Sequence, residues 1–179
     1  MPLYYVHAGA SLQKLTTAGV ITTLTLPTGV TLSTTRRGRF ALLNRFVAFV
    51  NGGTVNLVID TTDDTVRPLV LRPPSSPPKL AASSGSGGLT GDYKARYSFV
   101  VKDTNGRLLI ESAMSPEPVA AITLTSKALN LTGIETSDDA SVNARRLYRT
   151  TASGNVYFHW RDLDGNTETS IENDLSDAS

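Results

Sequence analysis

Turn residues interrupt this chain so often that no stretch between them is long enough to be read as a helix. Ala8-Gly9-Ala10, Ala18-Gly19, Pro27-Thr28-Gly29 and Asn51-Gly52-Gly53 punctuate the first part. The last of these lies between two β-branched runs and is a strong hairpin signal, because Asn and Gly both tolerate left-handed backbone. The intervening runs, 3–7, 11–15, 20–25, 39–43, 45–51, 54–60 and 66–71, read as short strands of a meander.

Residues 72–91 change character, with four prolines followed by a Gly/Ser run. Prolines stiffen a chain and Gly/Ser runs let it swivel, so this stretch reads as a linker between an N-terminal domain, 1–71, and a C-terminal one, 92–179. In the latter, Tyr93, Ala95, Tyr97, Phe99 and Val101 alternate with Lys94, Arg96, Ser98 and Lys102 at the period of a half-buried strand. Further runs at 107–112, 118–125, 128–131, 144–151, 156–160 and 167–171 are spaced by turn signals such as Asp103-Thr104-Asn105-Gly106. The expected fold class is all-β: a small N-terminal antiparallel sheet, then a β-sandwich of immunoglobulin or fibronectin type III kind. Its core should hold Tyr97, Phe99, Val101, Leu147 and at least one of Phe158 and Trp160.

The 179 residues are 40% hydrophobic and 18% charged, which fits a folded soluble protein rather than a disordered one. No run approaches the roughly 20 apolar residues of a membrane helix, and the N-terminus lacks the basic and apolar regions of a secretion signal. There is no cysteine, which excludes disulfides, thiolate metal sites and cysteine nucleophiles. The net charge of +1 hides a dipole. Residues 1–84 carry eight Lys or Arg against three Asp, or +5, and residues 85–179 carry nine against thirteen acids, or −4. Opposed halves of this kind can serve contacts between copies.

Nothing in the sequence assembles a catalytic, cofactor or metal site. His7 and His159 are the only histidines and read as structural. The run 85–91 has no Gly-Lys pair for a P-loop, and Thr90 stands where a dinucleotide fingerprint needs glycine. Asp162-Leu163-Asp164-Gly165-Asn166-Thr167-Glu168 has its glycine too early for an EF-hand and reads as a hairpin turn. Asp60, Asp63 and Asp64 form a similar acidic turn. Arg36-Arg37-Gly38-Arg39 is the densest basic cluster. It is short and lacks an aromatic ladder, so DNA contact is less favoured for it than protein contact, and Arg145, Arg146 and Arg149 read likewise as exposed edge charges. The interface residues expected from the charge pattern are Arg36, Arg37 and Arg39 facing Asp162, Asp164 and Glu168.

Four segments occur in a particular order: Gly91-Asp-Tyr-Lys-Ala-Arg-Tyr-Ser-Phe-Val, Ile110-Glu-Ser-Ala-Met-Ser-Pro-Glu-Pro-Val, Leu131-Thr-Gly-Ile-Glu-Thr-Ser-Asp and Arg145-Arg-Leu-Tyr-Arg-Thr-Thr. Together they resemble the fibronectin type III-like module of tailed-phage virion proteins. The segments 4–15 and 45–53 are similar to blade strands of phage tail-hub or nozzle propellers, although about 70 residues are too few to close a propeller. The resemblance implies a non-enzymatic structural protein of the virion, from the tail or head–tail region and assembled in the host cytoplasm. Its partners would be copies of itself and other virion proteins, with no membrane, cofactor or small-molecule substrate. The rival expectation is a receptor- or glycan-binding sandwich with Tyr93, Tyr97, Tyr157 and Trp160 as an aromatic platform.

Overall fold

A computed structural model describes residues 3–53, 55–85, 87–173 and 177. Thr54, Ser86 and Asp174, which figure in the strand, linker and charge readings above, lie outside the described residues. All regular structure among the described residues is strand, arranged in antiparallel sheets, and the chain divides into two compact units, Met1–Val70 and Leu71–Ser179.

The first unit is the expected meander. β1 (Leu3–Ala8), β2 (Ser11–Thr16) and β3 (Ile21–Thr23) form one sheet in that order. β4 (Arg39–Leu43), β5 (Phe46–Val50), β6 (Leu57–Asp60) and β7 (Val66–Pro68) form a second. The β4–β5 turn needs only Asn44 and Arg45, with Asn44 at φ 52°, a conformation asparagine tolerates better than most residues. Leu12, Leu24, Leu32, Val47, Phe49, Leu57, Ile59 and Val66 make the core, and Tyr5, Leu26 and Val30 pack on its flank. Both sheets are open, with β4 and β7 as the edges of the larger one.

The second unit has one core fed by every one of its sheets. β10 (Ala95–Lys102), β11 (Leu108–Glu111), β14 (Ala144–Thr150) and β15 (Tyr157–Asp164) form a four-stranded sheet in the order β11-β10-β14-β15. β9 (Leu89–Tyr93) pairs with β12 (Ile122–Lys127), and β13 (Leu129–Thr132) is flanked by β8 (Lys79–Ala82) and β16 (Ser170–Asn173). Tyr97, Phe99, Val101 and Leu147 are buried as the alternation predicts, and Trp160 packs against them while Phe158 stays half exposed.

Two expectations are corrected. Residues 72–91 are not a linker. Lys79–Ala82 is an edge strand paired with β13, Leu71 and Leu89 are core residues, and Pro74, Pro78 and Ser83 are buried. Proline is compatible with this place because an edge strand leaves one row of backbone groups without ladder partners. Gly87 packs so closely on the backbone of Ala128 that any Cβ would collide with it. The second correction concerns 162–168, which turns the chain at Gly165 (φ 80°) without making a hairpin. β15 does not pair with the following strand, and the chain passes to another sheet.

Candidate functional site

An uncovered feature of the first unit is the edge strand β4, all five residues of which are exposed. In the β4–β5 register Phe40 stands opposite Phe49 and Leu42 opposite Val47, so both belong to the core-facing side, where Phe49 and Val47 are buried. Yet Leu42 is 73% exposed and Phe40 38%, although the Phe40 ring packs on Phe49 (centroids 4.8 Å) and lines a cavity with Tyr5, Val6 and His7 of β1. Leu43, on the opposite side, is 70% exposed. An edge of this kind offers both a row of backbone groups and an apolar surface.

The basic cluster leads directly into this strand. Arg36, Arg37 and Arg39 are exposed, and among the described residues no carboxylate lies within ion-pair distance of them. The other cations of the unit are engaged: Lys14 pairs with Asp64 at 2.5 Å, Arg45 with Asp60 at 3.2 Å, and Arg67 lies over the Phe46 ring. His7 and Asn51 fix the loop that carries the cluster. Gly38 N–H donates to His7 Nδ1 (3.2 Å), Asn51 Nδ2 lies 3.0 Å from His7 Nε2, and the same amide donates to Ser33 O (3.0 Å). Gly38 has room for no side chain, since a Cβ there would run into the Phe49 ring. The Asp60–Asp64 turn is occupied by its own backbone, with Asp60 accepting from Thr62 N–H (3.0 Å) and Asp63 from Thr65 N–H (2.9 Å).

On the outer side of the four-stranded sheet a polar network was not foreseen as a unit. Asp162 accepts from Arg146 Nε (2.8 Å), Arg146 Nη2 (3.0 Å) and Lys102 Nζ (2.9 Å), and His159 Nε2 lies 2.9 Å away. Glu111 accepts from Ser98 Oγ (2.6 Å) and from the Tyr148 hydroxyl. Burial alone would raise Asp162, but the Arg146 and Lys102 donors outweigh it and hold the carboxyl well below the usual carboxylate range. Burial, then the Glu111 carboxylate, pushes Tyr148 up to about 12. Asp164 also meets Lys102 (2.8 Å), but its side chain is 85% exposed. Glu168 is exposed, and its carbonyl accepts from Arg145 Nη2.

The expected interface set is therefore uneven: Arg36, Arg37, Arg39, Asp164 and Glu168 are exposed, whereas Asp162 is largely consumed inside its own unit. Arg145 and Arg149 are not edge charges. They alternate with Leu147 on the core-facing side of β14 and are buried, Arg145 donating to Gly165 O (2.5 Å) and Arg149 pairing with Asp177. The aromatic platform is also dismantled, because Tyr93 and Tyr97 are core residues, with Tyr97 OH donating to Ser76 O (3.1 Å). What the sequence reading missed is a cavity of about 410 Å³ beside β15, lined by Phe158, His159, Trp160, Arg149, Thr151 and Asp177 among others. Among the described residues no cluster of His, Cys, Asp or Glu could hold a metal ion. Comparison with family models, with curated proteins and with solved structures gave no match.

Proposed function

We propose that this chain is a non-enzymatic structural component of a tailed-phage virion, from the tail or head–tail region, acting through protein interfaces in a multi-copy assembly. The observation that carries the assembly reading is β4, whose core-facing Phe40 and Leu42 are left to solvent. A neighbouring strand would satisfy its backbone and cover its side chains in one step. The virion reading rests on the four ordered segments between Gly91 and Thr151, which in this reading make the second unit a fibronectin type III-like sandwich, and on the segments 4–15 and 45–53, which make the first a blade-like sheet. Localising the chain in a cryo-EM map of a phage particle tests both parts. Density for several symmetric copies in the tail or neck supports the proposal, and a particle without the chain overturns it.

One observation favours the second reading, a receptor- or glycan-binding module: the cavity beside β15 offers Phe158 and Trp160 rings next to Arg149 and Asp177. Aromatic faces with flanking polar groups suit sugars. Glycan-array binding by a monomeric chain, lost in Trp160→Ala, would favour it over assembly.

A further inference from the structure

β15 is the counterpart of β4. It too is an edge strand, and its core-facing Phe158 is 53% exposed. Where β4 is preceded by Arg36 and Arg37, β15 ends in Asp162 and Asp164. Among the described residues, neither strand has a partner beyond its one neighbour, β5 for β4 and β14 for β15. We infer that β4 of one copy adds to β15 of a second copy, antiparallel, joining two four-stranded sheets edge to edge. The inference rests on the assembly reading above and names the two surfaces that meet.

The register follows from sidedness and charge. In the β14–β15 pairing, Leu147 stands opposite Arg161 and Arg149 opposite Phe158, while Arg146, Tyr148 and Thr150 stand opposite Asp162, His159 and Tyr157, and Trp160 falls at the bulge. Leu147 and Arg149 face the core, so Phe158 and Arg161 lie on the core side of β15 and Asp162, His159 and Tyr157 on the outer side. On β4, Phe40 and Leu42 are on the core side, and Arg39, Ala41 and Leu43 on the other. Antiparallel alignment that matches both sides sets Arg39 against Asp162, Phe40 against Arg161, Ala41 against His159, Leu42 against Phe158 and Leu43 against Tyr157. Trp160 stays at the bulge, as it does against β14. Two residues upstream of Arg39, Arg37 reaches the level of Asp164, which is exposed and also pairs with Lys102.

The alternatives are worse. A slip of one residue turns Leu42 and Phe40 to the polar side. A slip of two toward the acids separates Leu42 from Phe158. A parallel arrangement carries the arginines to the Tyr157 end, away from the exposed Asp164. Antiparallel pairing of β4 with itself about a two-fold axis at Ala41 would set Phe40 against Leu42 but leave Arg36, Arg37 and Arg39 opposite no acid, so charge favours β15 as the partner. The favoured contact is heterologous, since each copy presents a donor edge and an acceptor edge, and such contacts propagate into rings or filaments.

The absence of cysteine makes the test clean. Two single variants, Ala41→Cys and His159→Cys, are prepared separately, checked for native circular dichroism and mixed under mild oxidation. A disulfide needs Cβ atoms roughly 4 Å apart, as directly opposed strand residues can have. The expected product is a 41–159 linked dimer, absent when Val119→Cys, at a fully exposed position, replaces His159→Cys. Arg37→Glu on the first chain should lower the yield about two- to five-fold, the range of an exposed ion pair, and Asp164→Arg on the second should restore it. A 41–41 product alone overturns the register in favour of two-fold pairing, and a single-chain disulfide in the double variant overturns the intermolecular contact. If no 41–159 link forms while the parent chain still has a multi-copy mass in light scattering, this contact is wrong and the assembly reading stands. If the parent is a monomer at every concentration, both fall.

Discussion

The two units solve the same problem to different degrees. Among the described residues, the second, 71–179, gathers fourteen buried apolar residues into one core and leaves four large apolar side chains exposed, Leu108, Val119, Val156 and Phe158. Among its described residues, the first, 1–70, buries eight in its core cluster and exposes eleven, among them Tyr4, Val6, Ile21, Phe40, Leu42 and Leu43. Small domains bury a smaller fraction of their surface, but size alone does not place exposed residues on the core-facing side of a strand. The contrast indicates a second unit with a well-filled core, open chiefly at the β15 edge, and a first unit whose sheet ends where another strand belongs.

The largest effect that could break this contrast comes from truncation. Residues 71–179 should unfold cooperatively as an isolated fragment, whereas 92–179, which lacks β8 and the core residues Leu71 and Leu89, should not; thermal melts followed by circular dichroism would show it. Equal melts for both would mean that 72–91 is dispensable after all. Next is Phe99→Ala, which should cost the second unit about 3–5 kcal/mol by leaving a cavity in a well-packed core. Urea titration measures it, and an unchanged midpoint would reverse the assignment of inside and outside.

Asp162→Asn should have an intermediate effect, about 1.5–3 kcal/mol at pH 7, the scale of hydrogen bonds to charged groups. Because the folded state holds Asp162 below its ordinary range, its contribution is present above about pH 4 and is lost as pH falls below that. The variant should therefore lose less stability than the parent between pH 6 and pH 3 in acid titration of the 71–179 fragment. The smallest effect on folding belongs to the first unit: Leu42→Asp, at a 73% exposed position, should change the stability of the dissociated chain by no more than about 0.5 kcal/mol in a urea melt at a concentration too dilute for assembly.

Strand positions were legible because both of their signals are local. Period-2 alternation gave Ala95–Lys102 its inward face, and Asn51-Gly52-Gly53 gave the β5–β6 hairpin. The 72–91 stretch was misread because composition reports propensity, while Lys79–Ala82 is a strand through its partner β13, distant in sequence. Arg145 and Arg149 were misplaced although a signal existed: they share the parity of Leu147 and so its face. Reading the three arginines as one patch overrode that parity. The exposed side of β4 was not legible, since Arg39–Leu43 has the pattern of a buried strand and only the structure reveals that all five of its residues are exposed. Likewise, the Asp162 network depends on Lys102 and Arg146 from neighbouring strands, a register no single segment encodes.

The most direct measurement is the solution mass of the full chain and of its Leu42→Asp variant by light scattering across a concentration series. If copies cover the β4 edge, the parent has a mass at a multiple of 19.1 kDa, and the variant falls to 19.1 kDa with an unchanged β-type circular dichroism spectrum. A parent at 19.1 kDa throughout, or the same multi-copy mass for both chains, would contradict it.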